Sequence, residues 1–303
     1  MTVSFFKPRG VVVPMVTPVT PEGCLDTSAI RRVIDWLIAG GVDGIFVLGT
    51  TGEGASVPAG LRRQIVALSV EHSAGRCRLY AGIGGNCLAD SQQAGHDYLA
   101  LGADAVVAHL PAYFALTSGE MVAYYRLLAD SLDGPLLIYN MPPTTHMSIP
   151  LEALQALSEH PRIVGVKDSQ NDPERLKTVI TVFRHHPDFA VLIGPSALAT
   201  EGLRAGADGV VPSSGNLVPH LWRELCECVR AERWTDAAAL QSRLDEVTRV
   251  YQSGRSLGQA MAALKAGMAA SGLCGPAALP PLMTLDEIDQ ERLRKELASL
   301  DLV

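Results

Sequence analysis

The chain has 303 residues, 48% of them hydrophobic and 19% charged, a composition typical of a compact globular protein with a sizeable core. The formal net charge is −7 and no Lys/Arg cluster occurs, which argues against nucleic acid or an anionic membrane surface as a partner. The sequence shows no bilayer-spanning segment, no signal peptide and no paired cysteine framework, so a cytoplasmic protein with reduced thiols is predicted.

Short apolar runs alternate with stretches of helical spacing through most of the chain. In chain order, strands are predicted over 11–17, 44–49, 79–84, 104–110, 135–140, 163–168, 190–194 and 208–212. Helices are predicted between them over 27–39, 58–74, 89–101, 118–132, 150–159, 172–185 and 196–204. Eight such units indicate an α/β fold, a parallel (β/α)8 TIM barrel.

A Gly-x-Asp motif precedes three of the strands, in GGVDGIFVLG (40–49), LGADAVVAHL (101–110) and AGADGVVPSS (205–214). Each glycine is expected to end a helix, and each apolar run to form a strand buried on both faces. The alternative is an open doubly wound sheet, but the first strand leads into TPVTPEG and not into a glycine fingerprint. Residues 1–217 are assigned to the barrel and 218–303 to its last helix and a C-terminal helical extension, in one functional unit.

Lys167 stands near the end of the apolar run IVGVKDS (163–169). Strict alternation places Ile163, Gly165 and Lys167 on one face, with the glycine leaving room around the lysine stem. Asp168 then points away, so no adjacent carboxylate accompanies the amine. An exposed lysine at a strand end is the alternative interpretation.

Tyr139, in YNMPP (139–143), ends the preceding strand at about the same height as Lys167. Catalytic groups of a barrel lie at the C-terminal ends of strands. A lysine in a dry pocket without a fixed anion favours the neutral amine, which forms a Schiff base with a ketone, and a neighbouring phenol can move the proton. Read alone, Tyr139 is equally typical of a structural barrel aromatic.

The turn GTTGEG (49–54) follows the second predicted strand. Its backbone N–H groups and the hydroxyls of Thr50 and Thr51 suit the carboxylate of a 2-oxo acid. The alternative is an ordinary turn in which the threonines cap a helix and Glu53 serves its first turn.

Together GTTGE (49–53), Y-N-x-P (139–142) and G-V-K-D (165–168) resemble the dihydrodipicolinate synthase / N-acetylneuraminate lyase family of class I pyruvate-dependent aldolases. The resemblance implies that Lys167 forms the imine and that Tyr139 is the acid/base phenol. It also implies that Thr50 and Thr51 bind the carboxylate of the 2-oxo acid and that Thr50 takes part in a proton relay. Tyr113 matches a tyrosine that family members contribute to this relay from a neighbouring subunit. Gly194 and Val211 are implied to contact pyruvate through their backbone groups. It also implies a homotetramer built as a dimer of dimers.

One position departs from the synthase branch, which has an arginine five residues after the catalytic tyrosine. Here that position is Thr144, assigned to substrate binding, and an uncharged hydroxyl cannot clamp a second carboxylate. The prediction is therefore a lyase acting on pyruvate and an aldehyde, with a 2-keto-3-deoxy sugar acid or hydroxylated 2-oxo acid as substrate. The alternatives are 4-hydroxy-tetrahydrodipicolinate synthase and a keto-deoxy acid dehydratase.

No cofactor or metal is predicted. AGIGGN (81–86) lacks the third glycine of a dinucleotide fingerprint, and the eight histidines show no metal-binding spacing. From other classes, a non-catalytic 2-oxo acid binding barrel and a phosphate-binding barrel using GADGVVPSSGN (206–216) stay open.

Overall fold

The structure, a computed structural model, describes residues 5–303. Eight parallel strands close into a barrel in sequential order, which confirms the predicted fold class. They are β1 (Gly10–Pro14), β2 (Gly44–Val47), β3 (Arg78–Gly82), β4 (Ala105–His109), β5 (Leu136–Asn140), β6 (Ile163–Asp168), β7 (Ala190–Ile193) and β8 (Gly209–Val210).

Helices cover the outside of the barrel and form the C-terminal region. They are α1 (Thr27–Ala39), α2 (Ala59–Ser73), α3 (Leu88–Ala100), α4 (Ser118–Ser131), α5 (Pro142–Thr145), α6 (Leu151–Ser158), α7 (Pro173–Phe183), α8 (Ala199–Ala205), α9 (Pro219–Arg230), α10 (Trp234–Gln252), α11 (Leu257–Ala270) and α12 (Glu287–Ala298). The short helix α5 was not predicted. Within residues 5–303, no helix combines the length and the apolar character needed to cross a membrane.

The first strand is shorter than predicted and ends at Pro14 instead of residue 17. Met15 still donates its N–H to the Phe46 carbonyl of β2 at 2.9 Å, but the two residues after it bond outside the sheet. Val16 donates its N–H to the Asn216 side chain at 3.1 Å, and the Thr17 hydroxyl donates to the Gly52 carbonyl at 2.6 Å. This segment therefore supports the turn after β2.

The Gly-x-Asp motifs end helices and join neighbouring strands by hydrogen bonds at the N-terminal end of the barrel. Their glycines follow α1, α3 and α8 with φ values of 77°, 103° and 105°, which favour glycine and end those helices as predicted. Each aspartate then accepts the backbone N–H of the preceding strand at 2.8–2.9 Å: Asp43 from Val11, Asp104 from Leu79 and Asp208 from Val191. The motif thus fixes neighbouring strands at the end opposite the expected site.

A register shift interrupts the pairing of β5 with β6. Leu136 pairs with Ile163, whereas Leu137 pairs with Gly165, so β6 carries one extra residue. Ile163 consequently packs in the outer core, and the prediction that it shares a face with Lys167 is wrong. A Cβ at Gly165 would lie 2.4 Å from the Ala190 carbonyl oxygen, so this glycine permits the close approach of β7.

The C-terminal helices are joined to the barrel by a buried ion pair. Lys265 of α11 lies 2.6 Å from Glu53 in the turn after β2, and both side chains are fully buried. The second oxygen of Glu53 accepts the Leu279 N–H at 2.6 Å. The alternative role of Glu53 in the first turn of a helix is wrong, because its carboxylate holds the C-terminal region against the barrel.

Replacing Lys265 by Met leaves the Glu53 carboxylate buried without a counter-charge, so we expect the free energy of unfolding to fall by about 3–5 kcal/mol. Chemical denaturation measures this change. Arg294→Met, which breaks the exposed ion pair with Glu291, is the matched control and should have little effect. Adding Glu53→Gln to Lys265→Met should recover part of the loss, and equal stability of Lys265→Met and wild type would contradict the argument.

Candidate active site

Lys167 and Tyr139 meet at the C-terminal mouth of the barrel. They are directly paired in the β5–β6 register, as predicted, and each side chain is only 4% exposed. The Lys167 ammonium nitrogen lies 4.0 Å from the Tyr139 ring centroid and 5.0 Å from that of Phe46. The alternative in which Lys167 extends into solvent is therefore wrong.

Asp168 faces away from the amine, as expected from strand alternation. Its carboxylate contacts Arg175 (Nε to Oδ2, 3.0 Å) and accepts a hydrogen bond from the Asn140 amide at 2.9 Å. Among residues 5–303, no carboxylate forms an ion pair with Lys167. The amine is thus buried without a fixed counter-ion.

Burial lowers the pKa of Lys167, an effect that the neighbouring Tyr139 only partly offsets. For Tyr139, burial favours a raised pKa, but the charge of Lys167 and the hydroxyl of Thr50 outweigh it, so the pKa is lowered. Both pKa values are lowered, so the neutral form of the amine is easier to reach and the phenol is more acidic. This pairing suits nucleophilic attack coupled to proton transfer.

A cavity of about 510 Å³ opens above Lys167 and Tyr139. Thr50 Oγ1 lies 3.3 Å from the Tyr139 hydroxyl, and Thr51 is buried beside it. Four predicted ligand contacts share this lining: Thr50, Thr51, Gly194 and Val211. The cavity can therefore accommodate a small carbonyl compound close to the amine, with hydroxyl groups on one side.

Two predicted residues lie outside this cavity. Thr144 donates its hydroxyl to the Met141 carbonyl at 3.3 Å and lines an adjoining cavity of about 570 Å³, which meets the first at Thr50 and Tyr139. Tyr113 is 78% exposed and stacks edge-on against Phe114, 4.9 Å between ring centroids. The substrate role of Thr144 and the cross-subunit role of Tyr113 stay predictions.

Sequence reasoning missed the contribution of the C-terminal helices to the cavity. Six residues of α10 and α11 line it: Asp245, Thr248, Arg249, Gln252, Leu257 and Met261. The available signal was the polar spacing 245–248–249–252 on a helix whose other face is apolar. This spacing predicts that the helix has a polar face, but it does not predict that this face lies over the barrel mouth.

A (β/α)8 barrel with a buried amine and phenol at its C-terminal mouth defines an enzyme of the lysine-dependent, class I lyase type. Comparisons with known proteins give the family. The Dihydrodipicolinate synthetase family matches residues 7–300, so the chain belongs to this family, and the resemblance predicted from the sequence is confirmed.

Relatives of this family cover nearly the whole chain. The 4-hydroxy-tetrahydrodipicolinate synthase of Gluconacetobacter diazotrophicus is 31% identical over 303 residues, all of both chains. The dihydrodipicolinate synthase structure from Bacteroides thetaiotaomicron has 29% identity and a TM-score of 0.93, covering 97% of this chain and 100% of that one. The structure of YagE from Escherichia coli K12, a prophage protein of the dihydrodipicolinic acid synthase family in complex with pyruvate, has 28% identity and a TM-score of 0.92. The match covers 97% of this chain and 99% of that one.

Titration of Lys167 tests the electrostatics of the site. We expect its pKa to lie below the ordinary lysine value, so that the neutral fraction rises at lower pH than for a free amine. Tyr139→Phe removes the group that raises the lysine pKa, and we expect that pKa to fall further. NMR of lysine labelled at the ε-carbon measures both values, with Lys167→Arg identifying the signal. A pKa at or above the ordinary value in the wild-type protein would contradict this account.

Proposed function

We propose that the protein joins pyruvate to an aldehyde, or releases it in the reverse direction, through an imine on Lys167. The observation that carries the proposal is the buried Lys167 amine, without an ion-pair partner in residues 5–303, directly opposite Tyr139. Pyruvate is the ligand named for the related YagE structure, which supports this substrate. The two threonines of the turn after β2 bind the pyruvate carboxylate.

The reaction starts when the neutral Lys167 amine adds to the ketone carbon of pyruvate. Water leaves with the carbonyl oxygen and both amine hydrogens, and a C=N bond replaces the C=O bond. Loss of one methyl proton from the protonated imine gives an enamine, because the cationic nitrogen accepts the electron pair. Tyr139 carries protons between these steps, and its contact with Thr50 at 3.3 Å supplies the relay.

Bond formation follows at the enamine carbon, which attacks the aldehyde carbon. The carbonyl electron pair moves to the aldehyde oxygen, which takes a proton from Tyr139. One water molecule then hydrolyses the imine, releasing the product and regenerating Lys167. Cleavage of a hydroxylated 2-oxo acid is the same sequence in reverse.

Aspartate semialdehyde is the first candidate for the aldehyde. Curated relatives from Gluconacetobacter diazotrophicus and Xanthomonas campestris, 31% and 33% identical, are both named 4-hydroxy-tetrahydrodipicolinate synthase. These names agree with the alternative drawn from the sequence better than with its main prediction of a keto-deoxy sugar acid.

A hydroxylated aldehyde is the second candidate, and one specific observation favours it. Position 144 carries a threonine whose hydroxyl is engaged with the Met141 carbonyl, where the synthase branch has an arginine. The cavity is instead lined by hydroxyls at Ser169, Ser196 and Ser213, which suit a polyhydroxylated chain. Dehydration of a keto-deoxy acid through the same imine remains a variant of this candidate.

The cysteines and an exposed aromatic pair bear on where the protein resides and how it assembles. All six cysteines are unpaired, which fits the reducing cytoplasm. Tyr113 and Phe114 are 78% and 71% exposed and adjacent, as expected of an apolar contact between subunits. We therefore propose a cytoplasmic homotetramer in which Tyr113 reaches a neighbouring subunit.

Borohydride reduction in the presence of pyruvate tests the imine. We expect a stable adduct on the peptide that contains Lys167, found by mass mapping, and none without pyruvate. Lys167→Ala should abolish both the adduct and carbon–carbon bond turnover, because no other lysine occurs among the described residues that line the cavity. Full turnover by Lys167→Ala would overturn the proposal, and confirmed pyruvate binding without an adduct would favour a non-catalytic binder.

An aldehyde panel separates the two candidates. Aspartate semialdehyde and glyceraldehyde are offered with pyruvate, and kcat/KM is compared. A synthase should prefer aspartate semialdehyde by at least about tenfold, whereas the second candidate predicts the opposite preference. Thr144→Arg is the informative variant, since it should raise the preference for the anionic aldehyde if the substrate reaches the adjoining cavity.

A further inference from the structure

We infer that Arg249, on α10, determines specificity by binding an anionic group at the far end of the aldehyde. The inference rests on the proposed function and deepens it, because it assigns the second substrate to the class of aldehydes that carry a carboxylate or a phosphate. Arg249 is exposed and lines the cavity that contains Lys167.

One face of α10 is turned toward this cavity. Asp245, Thr248, Arg249 and Gln252 follow the i, i+3, i+4, i+7 spacing of a single helix face, and all four line it. The buried residues of α10, Leu244, Val247 and Tyr251, lie on the neighbouring face of the helix. Arg249 lies at the edge of this face and also lines a neighbouring surface pocket with Arg255 and Glu296. The helix therefore fixes the backbone of Arg249 at the rim of the cavity, and the long side chain reaches a ligand there by turning inward.

Hydrogen bonds hold α10 on the barrel mouth on both sides of Arg249. Before it, the Gln241 amide donates to the Ser196 carbonyl at 3.0 Å. After it, the Tyr251 hydroxyl lies 2.7 Å from that of Ser213. These partners follow β7 and β8, so the backbone that carries the guanidinium is fixed relative to the cavity.

The Arg249 guanidinium is available to a ligand. Neighbouring arginines are engaged: Arg233 with Asp236, Arg243 with Glu246, and Arg255 with the Val250 carbonyl. In the part of the chain that the structure describes, Arg249 forms no ion pair. Asp245, one turn earlier, accepts a hydrogen bond from Gln241 at 2.9 Å.

The charges of the cavity define what Arg249 can recognise. Lys167 is consumed by the imine, and the pyruvate carboxylate lies with Thr50 and Thr51 in the proposed function. Among the described residues that line the cavity, Arg249 is then the one remaining cation, and Asp245 is the one carboxylate. The planar guanidinium of Arg249 suits bidentate binding of a carboxylate or phosphate. The cation absent at position 144 is thus supplied from the C-terminal helices. A cavity of about 510 Å³ has room for both substrates.

The test compares Arg249→Gln with Arg233→Gln, a control at the residue just before α10 whose side chain is exposed and outside the cavity. Each variant receives pyruvate with aspartate semialdehyde, glyceraldehyde 3-phosphate or glyceraldehyde. We expect Arg249→Gln to lower kcat/KM for the anionic aldehyde in use by about 10- to 100-fold, mostly through its KM. Glyceraldehyde turnover and the KM for pyruvate should change less than about twofold, and Arg249→Lys should be intermediate.

The comparison of aspartate semialdehyde with glyceraldehyde 3-phosphate identifies whether the site accepts a carboxylate or a phosphate. Equal kinetics of Arg249→Gln and Arg233→Gln with both anionic aldehydes would overturn the inference, as would turnover of glyceraldehyde alone by the wild-type enzyme. Pyruvate trapping on Lys167 separates this failure from failure of the proposed function, because trapping needs no aldehyde. If pyruvate is trapped on Lys167 but Arg249→Gln has unchanged kinetics, the role of Arg249 is rejected and the proposed function stands.

Discussion

The pairing of β5 with β6 beyond its bulge is the constraint on which the site depends. Strand side chains alternate between faces, so a shift of one residue exchanges the inner and outer sets. Without the extra residue in β6, Tyr139 would face Val166, and Lys167 would pair with Asn140 and turn into the outer layer. The bulge instead brings amine and phenol together in the barrel mouth, where burial lowers the lysine pKa and proximity links the two titrations.

The barrel divides stability and chemistry between its two ends. At the N-terminal end, aspartates such as Asp43 and Asp208 accept strand N–H groups, and these contacts are remote from the cavity. At the C-terminal end, strand termini supply Lys167 and Tyr139, while α10 and α11 close over them. Specificity can therefore change on the helices without disturbing the strand register that positions the amine.

The sequence predicted the barrel well because buried strands and helix-ending glycines leave local patterns. It also placed Lys167 opposite Tyr139, since both motifs end adjacent strands. It could not predict that Ile163 leaves the shared face, because a bulge has no reliable local signature here. Nor could it pair Glu53 with Lys265 or place Arg249 at the cavity, because these contacts depend on how distant helices dock.

The ion pair between Glu53 and Lys265 spans 212 positions of the chain, and this separation bears on biosynthesis. On the ribosome, all eight strands have been translated once Val210 is made, yet the carboxylate beside the threonine turn still lacks its counter-charge. Domains fold as they emerge, at about 5–20 residues per second. Several seconds therefore separate the synthesis of β8 from that of α11, and during this interval the Glu53 carboxylate has no Lys265 to pair with.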